Sequence, residues 1–578
     1  MTNQKVNIGI DLGTTYSSIS FYDVAKAIPE PVKENAIATS FPSTVVIKKK
    51  NGTNELTYET GGSAKNKPST HTLDNSKRLI GKTYDEYEKL GTEIYSFTFG
   101  VEEDEKGNCM MVVPSPLQDG SEKFYPEEVS ALVLKDLVAK AKNVVHNASF
   151  ETIVVTIPVK FTPAQRKATM RACKLAGLEN VHMVNEPSAS LIEYKRYLEK
   201  SPNISVRNRA LKDGQVAFVI DFGGGTLDVC CGRIKNIDGR DESAIDIIQT
   251  DGDQDCGGNH FDEVIKKLIM NQLDDDQLKE LKIAGRDTKP KQQLKKNRMQ
   301  KLMVECEKAK IELSAKEKLS DVVSIHPQSF LGEEHMDDDE LYITREEFED
   351  ECKKELIPRF EECMRRVLRD SQISARDINL VLPIGGTCRI PIVLQSIKKL
   401  FPDDSQMAEP TFDPLTAVAN GAAYHAQRIS ATGDTDDLRE KLPFTIGISS
   451  RIDGVPNMMS VHAKKGSAIP LQTEKSYWMV NDYQEHVTYP IYIGESEKTT
   501  DPEMRCLKSL TIDVPPNTKK YDFEMKVKMK INSSGLVSMD VEGVNGGKPL
   551  GNLDVQLEMN QLDDKLDEMR RHVGKFMN

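Results

Sequence analysis

Two glycine-rich turns carry the residues best suited to phosphate chemistry. In residues 216–229, VAFVIDFGGGTLDV, an apolar run ends at Asp221, three glycines and Thr226 follow, and a second apolar run resumes. Glycines let a backbone approach a phosphate and allow N–H groups to turn inward. An aspartate at the end of a strand can hold hydrated Mg²⁺. On this segment alone, a tight hairpin without any ligand remains the alternative.

The start of the chain repeats this layout. Residues 6–20, VNIGIDLGTTYSSIS, run from an apolar strand through Asp11 to Gly13 and Thr14 and then into a return strand. Asp11 and Asp221 are therefore equivalent positions in two copies of one device. Two such hairpins facing each other could grip one triphosphate from both sides.

Two further positions are weaker candidates, each with an ordinary alternative, and one tempting motif fails. Glu186 lies at a predicted strand-to-helix corner beside Pro187, where it could enter a cleft or simply sit at a helix N-terminus. Lys65 lies in GGSAKNK and could equally be a solvated lysine. The run RLIGKT ends in GKT, but a P-loop would need glycine where Ser76 stands.

Two more segments could complete a ligand site. In ECEKAKIELS, Glu307, Lys310 and Ser314 share one predicted helix face, which could also be a solvated face with an internal ion pair. Residues 379–391, NLVLPIGGTCRIP, form a third strand followed by a glycine turn. GGNHFD, residues 257–262, is another glycine turn that opens a helix.

Composition restricts the possible classes of protein. The 578 residues carry a net charge of −13, which disfavours nonspecific nucleic-acid or anionic-membrane binding. No apolar run approaches the roughly 18 residues of a membrane span. The sequence enters a strand at once, which leaves no room for a signal peptide, and GKFMN is not a retrieval signal. Ten cysteines without C-x-x-C spacing fit reduced core residues, so we expect a cytoplasmic protein.

The pattern along the chain predicts two unlike domains. Up to residue 432, strands alternate with helices such as 126–145 and 163–176, and 271–318 reads as long and helical. Residues 433–441 are a charged linker, and 442–557 show short alternating strands with turns, typical of an antiparallel β domain. Residues 558–578 predict one amphipathic helix.

Seven motifs in order, GIDLGTTYS, FYPEEVSALVL, NEPSAS, VIDFGGGTLDV, GGNHFD, ECEKAK and IGGTCRIP, resemble the ATPase domain of the heat-shock protein 70 chaperone family. GSAIP, IYIGE and LTIDVPP resemble that family's substrate domain. The resemblance implies an actin-like, two-lobed α/β ATPase domain over 1–432, an antiparallel β-sandwich substrate-binding-like domain over 442–557, and a short C-terminal helix in place of a full helical lid.

The resemblance also implies roles for individual residues. Lys65, Glu186, Asp221 and Thr226 would be catalytic, and Asp11, Asp221 and Glu186 would surround Mg²⁺ largely through water. ATP or ADP would contact Gly13, Thr14, Thr15, Tyr16, Gly223, Gly224, Gly225, Thr226, Gly257, Gly258, Glu307, Lys310, Ser314, Gly385, Gly386 and Arg389. An approximate alignment puts Ser450, Val480, Val487 and Tyr489 around the peptide groove, with Tyr489 narrowing its pocket.

Several departures from the family pattern bear on function. Ile311 replaces an arginine that stacks on adenine, and Leu415 replaces an acidic residue, so we expect weaker nucleotide binding. The linker reads DLREKL instead of a run of leucines, and its charges should resist burial at an apolar edge. Domain coupling is therefore in question. His182 replaces an arginine that helps to bind a J-domain co-chaperone.

These observations lead to one main hypothesis and two alternatives. The main one is an ATP-binding chaperone that hydrolyses ATP slowly, assists protein folding, binds unfolded or nascent polypeptide, and works with a J-domain co-chaperone and a nucleotide-exchange factor. The first alternative is an atypical co-chaperone, or a ribosome-associated or nucleotide-exchange platform for another chaperone, that binds ATP with little hydrolysis or peptide coupling. The second, another actin-like ATPase such as a sugar kinase, is disfavoured by the β domain.

Overall fold

The computed structural model describes residues 4–576 except 35–37, 66–69, 90–96, 98, 118–119, 147, 237–242, 286, 434–436, 546–547 and 554–564. Within this part of the chain, no helix is both long enough and apolar enough to cross a membrane. Residues 434–436 of the predicted linker, and 558–564 and 577–578 of the predicted C-terminal helix, lie outside the described residues.

The first lobe is an α/β unit around a mixed sheet. Its elements are β1 (Gln4–Asp11), β2 (Tyr16–Asp23), β3 (Ile28–Pro31), β4 (Phe41–Pro42), β5 (Val45–Lys49), β6 (Leu56–Thr60), α1 (Gly62–Lys65), β7 (Thr72–Leu73), α2 (Ser76–Leu79), α3 (Tyr84–Lys89), β8 (Gly100–Glu103), β9 (Cys109–Pro114), β10 (Ser121–Phe124), α4 (Pro126–Val144), β11 (Ala148–Ile157), α5 (Pro163–Leu175), β12 (Val181–Asn185) and α6 (Glu186–Lys200). The main sheet has the order β12-β11-β1-β2-β3, with β4 paired to β2.

The second lobe repeats this plan. Its elements are α7 (Ile204–Arg207), β13 (Val216–Phe222), β14 (Leu227–Asn236), β15 (Ser243–Asp253), α8 (Gly258–Met270), α9 (Asp275–Leu281), α10 (Lys289–Ala315), β16 (Val322–Ile325), α11 (Gln328–Leu331), β17 (Leu341–Thr344), α12 (Arg345–Lys354), α13 (Leu356–Ser371), β18 (Leu380–Ile384), α14 (Pro391–Leu400) and α15 (Ala417–Thr432). The stretch 271–318, predicted as one long helix, is divided into α9 and α10.

The two lobes share one strand topology. In the first, β1 is antiparallel to β2 and parallel to β11. In the second, β13 is antiparallel to β14 and parallel to β18. The prediction that residues 6–20 and 216–229 are copies of one strand-turn-strand device is therefore confirmed, as is the two-lobed α/β fold.

Helix α15 joins the lobes by packing on the first sheet. A Cβ added to Gly9 would lie 2.1 Å from the backbone N of Ala423, and one added to Gly421 would lie 1.8 Å from the carbonyl of Ala189 on α6. Ser20 Oγ donates to Asn420 Oδ1 at 2.7 Å. Only small residues permit these approaches, which explains the Ala- and Gly-rich sequence of α15.

The C-terminal domain is a sandwich of two antiparallel four-stranded sheets. One has the order β21-β20-β23-β24 and the other β22-β25-β26-β27. The strands are β20 (Ile446–Ile452), β21 (Val455–Ala463), β22 (Leu471–Trp478), β23 (His486–Ile493), β24 (Arg505–Asp513), β25 (Phe523–Ile531), β26 (Val537–Asn545) and β27 (Lys548–Leu553). Alternating residues of β23 and β25, such as Ile491, Met525 and Val527, fill the interior. The predicted β-sandwich is confirmed.

The linker docks on the second lobe, contrary to our expectation. Strand β19 (Leu438–Arg439) adds to the sheet parallel to β15, and Leu438 is buried. The expectation that Glu440 would resist burial was wrong, since it is 6% exposed. Its carboxylate accepts from Asn185 N at 3.2 Å and from Asn185 Nδ2 at 2.8 Å, so polar partners offset desolvation. Arg439 points outward and stays exposed.

The β domain and the last helix rest against the first lobe. Arg166 on α5 donates to the carbonyl of Ser534 at 3.0 Å, and Arg505 Nε pairs with Glu86 at 2.5 Å. Helix α16 (Leu566–Lys575) packs against α4 and α5, where His572 Nδ1 lies 2.9 Å from Glu128 Oε1. These described contacts of the β domain and of α16 therefore converge on the first lobe.

Candidate functional site

The two glycine hairpins face each other across the cleft between the lobes. A Cβ added to Gly224 would lie 2.4 Å from Thr15 Oγ1, and one added to Gly225 would lie 2.3 Å from Thr14 Oγ1. Thr15 Oγ1 also donates to Asn259 Oδ1 at 3.0 Å, which ties the first hairpin to the start of α8. The glycines thus allow the two turns to converge on one small volume.

A cavity of about 600 Å³ opens from these turns. Nearly all predicted nucleotide and metal residues line it: Asp11, Gly13, Thr14, Thr15, Tyr16, Glu186, Asp221, Gly223, Gly224, Gly225, Thr226, Gly258, Glu307, Lys310, Ser314, Gly385, Gly386 and Arg389. Gly257 is behind the wall, since a Cβ there would lie 2.4 Å from the carbonyl carbon of Gly225. Lys65 does not line this cavity.

The carboxylates of Asp11, Glu186 and Asp221 line the floor of the cavity, and Asp228 lies next to them. Glu186 and Asp221 are each 7% exposed, and Asp228, opposite Asp221 on the paired strand, is 1% exposed. Asp11 Oδ1 accepts from Thr156 Oγ1 at 3.3 Å, and Asp228 Oδ1 accepts from Val159 N at 2.8 Å. Few such groups stay buried together without a cation.

Among the described residues, the amine of Lys77 approaches this floor. Lys77 Nζ lies 2.5 Å from Glu186 Oε1, and both side chains are almost fully buried. Lys77 was not among the residues predicted from the sequence, and the catalytic role predicted for Lys65 stays a prediction. Nothing in the local sequence distinguished Lys77, because its partner is 109 residues away. The one available signal was its position directly before RLIGKT, a run that we considered only as a P-loop.

The carboxylates of the floor have too little positive charge around them, so their pKa values are raised. Burial, with the charge of Glu186 next, raises the pKa of Asp11 to about 7. The same two causes raise the pKa of Asp228 to about 8 and that of Asp221 well above its usual range. Lys77 opposes these shifts but does not cancel them. No three of these carboxylates bring their oxygens within 4.8 Å of one another, so the set fits a divalent cation that is held largely through water.

Lys65 belongs to a contact across the mouth of the cleft. Its Nζ lies 2.5 Å from Glu307 Oε2 and donates to Tyr16 Oη at 2.8 Å. Burial alone would lower the pKa of Lys65, but the charges of Glu307 and Tyr16 raise it. Because Lys65 comes from the first lobe and Glu307 from α10 of the second, this ion pair bridges the lobes over the cavity.

The cavity wall also includes residues of α10 and two apolar side chains, which suit a flat heterocycle. Glu307, Lys310 and Ser314 do share one face of α10 here, and Lys310 Nζ pairs with Asp262 at 2.7 Å. Ile311 and Leu415 line the same cavity and are 59% and 43% exposed. The two departures from the family pattern thus create an apolar lining beside Arg389.

Comparison with known proteins agrees with this geometry. The family model described as "Hsp70 protein" matches residues 7–578. The chain belongs to the Hsp70 family. It is 28% identical over 543 residues to the "Chaperone protein dnaK" of Gracilaria tenuistipitata var. liui, covering 94% of this chain and 78% of that protein. It is 27% identical over 574 residues to the protein of the same name from Thalassiosira pseudonana, covering 98% and 85%.

Family membership decides between the main functional hypotheses. The chain is a chaperone of the Hsp70 type, and the alternative of a co-chaperone platform is not favoured by relatives that are themselves chaperone proteins. A separate actin-like enzyme, such as a sugar kinase, is excluded because the match extends through the β domain.

The peptide-groove positions of this Hsp70 chain fall in different environments. Val480 follows β22 and is 46% exposed, whereas Tyr489 on β23 is 2% exposed. Tyr489 Oη donates to Met525 Sδ at 2.9 Å, so its ring fills the sandwich interior. Ser450 on β20 and Val487 on β23 are half-buried. The interior space beneath the predicted groove is thus occupied by an aromatic ring.

The ten cysteines of the Hsp70 chain are all described, and none is in a disulfide. Nine are buried and Cys506 is exposed. Burial raises the pKa of Cys109, Cys173 and Cys256 to about 12, which keeps these thiols protonated and unreactive.

Proposed function

We propose that this Hsp70 chaperone binds MgATP between the two glycine hairpins, hydrolyses it slowly, and uses the docked linker to couple nucleotide state to the β domain. The observation that carries the proposal is the convergence of both hairpins on three carboxylates of the cavity wall, Asp11, Glu186 and Asp221, with the buried Asp228 next to them and the amine of Lys77 at Glu186. Phosphoryl transfer to water needs positioning and charge stabilisation and no covalent nucleophile.

Asp11, Asp221 and Glu186 would hold hydrated Mg²⁺. Their burial with a single nearby lysine supports this, because the charge deficit of the floor matches a divalent cation. When bound, the ion would neutralise charge on the phosphates and orient them. Thr14, Thr15, Thr226 and the hairpin N–H groups would orient the phosphate chain.

Lys77 would act at the terminal phosphate, in place of Lys65. An amine that already lies beside Glu186 can turn to a phosphate oxygen with little movement, leaving the carboxylate to orient the attacking water. Lys65 would instead act as a clasp over the bound nucleotide through its ion pair with Glu307. Ile311, Leu415 and Arg389 would contact the adenine, with Glu307, Lys310 and Ser314 near the ribose.

The docked linker supports coupling between the domains. Arg166 donates to Asn185 Oδ1 at 3.1 Å, and Asn185 in turn donates to Glu440 of the linker. Asn185 directly precedes Glu186, the residue that would face the phosphates. A shift of Glu186 on nucleotide binding would therefore act directly on the linker contact. Allostery requires such contacts to differ between two states.

Membership of the Hsp70 family suggests which kinds of clients and partners this chain would bind. The β domain would bind unfolded or nascent polypeptide, with a groove modified by Tyr489. A J-domain co-chaperone and a nucleotide-exchange factor would act on the nucleotide domain. His182, in place of arginine, would weaken binding of the J-domain co-chaperone. The unpaired cysteines support a cytoplasmic location, which fractionation of cells carrying a tagged chain would test.

The test is steady-state hydrolysis of ATP by the whole chain, with and without an unfolded peptide, in Mg²⁺ and after chelation. We expect slow turnover that requires Mg²⁺ and rises with peptide. Asp221→Asn is the inactive control. Tight ATP binding with no Mg²⁺-dependent turnover would contradict hydrolysis, and turnover that ignores peptide would contradict coupling.

A further inference from the structure

A second cavity between the lobes adjoins the nucleotide cavity and has a volume of about 150 Å³. Thr14, Thr15 and Glu307 line both cavities. Lys65 and Asp74 line only the second one, which we call the clasp cavity because the ion pair between Lys65 and Glu307 is part of its wall. Since its wall comes from both lobes, the clasp cavity must change shape whenever the lobes move apart.

Asp74 is the carboxylate of the clasp cavity that has no counter-ion. Within the residues that the structure describes, no cation lies in ion-pair distance of it. Its Oδ1 accepts from Asn75 Nδ2 at 3.1 Å, and Asn75 Oδ1 accepts from Asn259 Nδ2 at 3.1 Å. Burial raises the pKa of Asp74, while the hydrogen bond from Asn75 and the charge of Lys65 lower it. An ammonium group in contact with Asp74 would therefore be stabilising.

Lys65 is the charged group of the described chain whose field acts on Asp74. Its amine is engaged elsewhere in this structure, because Nζ lies 2.5 Å from Glu307 Oε2 and 2.8 Å from Tyr16 Oη. The Nζ also lies 4.4 Å from the centre of the Tyr16 ring. A lysine carries its charge on a flexible carbon stem, so the amine can change its partner without movement of the backbone. Lys65 therefore has one occupied acceptor, Glu307, and one vacant acceptor, Asp74, in the same cavity.

The two acceptors of Lys65 belong to different lobes. Lys65 ends α1 and Asp74 directly follows β7, and both elements pack on or pair with β5 of the first lobe. Glu307 is on α10 of the second lobe. Separation of the lobes would draw Glu307 away from Lys65, but it would leave Asp74 on the same lobe as the lysine.

We propose that Asp74 is a positioning residue that receives the amine of Lys65 when the lobes separate. One lysine then favours the closed state through Glu307 and the open state through Asp74. Because an ion pair exists in both states, opening costs less than the loss of the contact with Glu307 alone, and nucleotide leaves faster. The inference rests on the proposed binding of nucleotide between the lobes.

The first test crosslinks the original chain with a water-soluble carbodiimide, which joins a lysine amine to a carboxylate that touches it. An amide bond forms, the carbodiimide takes up the water that is lost, and mass spectrometry identifies the linked peptides. With MgADP, Lys65 should be joined to Glu307. Without nucleotide, a link from Lys65 to Asp74 should appear and the link to Glu307 should decrease. The exposed pair Lys267 and Glu351, 3.0 Å apart within the second lobe, should link equally in both conditions.

The second test measures the release of fluorescent ADP from variants of the whole chain. Asp74→Asn should slow release by about threefold to tenfold because the open state loses its ion pair, and a tenfold change is about 1.4 kcal/mol. Asp85→Asn, at an exposed position on α3, is the matched control and should leave the rate unchanged. In a chain that carries Lys65→Ala, Asp74→Asn should have no further effect, a coupling that a merely structural role of Asp74 would not produce.

Each outcome decides the proposal. If the nucleotide-free chain yields no link between Lys65 and Asp74, the lysine does not change its partner and the inference is wrong. Unchanged or faster ADP release in Asp74→Asn, or equal slowing in the Lys65→Ala background, would also overturn it. These results leave the proposed nucleotide site intact as long as fluorescent ADP binds, whereas a chain that binds no ADP would overturn both. If Asp74→Asn does not fold, as judged by circular dichroism, crosslinking of the original chain decides alone.

Discussion

Asn185 donates its side-chain amide to the buried carboxylate of Glu440 at 2.8 Å, which fastens the interdomain linker to the strand end that also carries Glu186. This contact joins two regions 255 residues apart in sequence. A linker that reads as too charged to dock therefore docks through hydrogen bonds to one buried side chain.

Glu440 should make linker docking depend on pH. Burial raises its pKa above 4.5, and hydrogen bonds from Ser188 and Asn185 and the charge of Arg166 only partly oppose this. The docked state therefore binds a proton more readily than the undocked state. Its contribution to docking is full below pH 4.5 and is lost as pH rises through the docked pKa.

We expect acidification from neutral pH to strengthen docking, and Glu440→Gln to weaken that dependence. A dye on the exposed Cys506, next to the interface residue Arg505, would report docking. Glu474→Gln, on a half-exposed β22 residue, serves as the control. An unchanged pH profile in Glu440→Gln would show that other groups set it.

The two lysines at the nucleotide site should behave differently. Lys77→Ala should lower the turnover number by about 10²- to 10³-fold, as expected for loss of one electrostatic contact to the transition state. Lys65→Ala should change turnover by less than about threefold but speed ADP release, because it opens the ion pair across the cleft. Single-turnover hydrolysis and fluorescent-ADP release measure both. A larger loss of turnover in Lys65→Ala would restore the role that the sequence had suggested.

Ile311→Arg should tighten nucleotide binding. An arginine here would stack on adenine beside Arg389, and such contacts are worth about 0.5–2 kcal/mol, or roughly twofold to thirtyfold in affinity. Titration with fluorescent ATP measures the effect. Ile283→Arg, at an equally exposed isoleucine away from the cavity, controls for net charge. Equal affinity in both variants would mean that the adenine does not lie against Ile311.

Gly421→Ala should destabilise the nucleotide domain strongly. The new methyl would lie 1.8 Å from the carbonyl of Ala189, so α15 and α6 must separate, at a cost of at least about 1–3 kcal/mol. Gly574→Ala on α16 meets no atom within 4 Å and should stabilise its helix by up to about 1 kcal/mol. The urea midpoints of the two variants measure these opposite effects on stability. Comparable midpoints would disprove the close packing of α15.

The sequence predicts this fold well where local pattern and tertiary role coincide. The two hairpins could be predicted because each combines, within a few residues, an apolar strand that ends in aspartate with the glycines that a phosphate-binding turn needs. Lys77 and Glu440 escape prediction for a shared reason. Each is a charged residue whose burial is made possible by partners far away in sequence, Glu186 and Asn185, and desolvation arguments applied to one segment cannot include such partners.

The placement of α15 has a consequence for how the chain is made. The sheet of the first lobe is synthesised early, but the helix that covers β1 and packs on α6 comes only at Ala417–Thr432. During translation, the apolar face around Gly9 and Ala189 stays open to solvent until the second lobe has left the ribosome. Open faces of this kind promote aggregation of nascent chains. We therefore expect the nascent chain of this chaperone to need protection from aggregation until α15 has been synthesised.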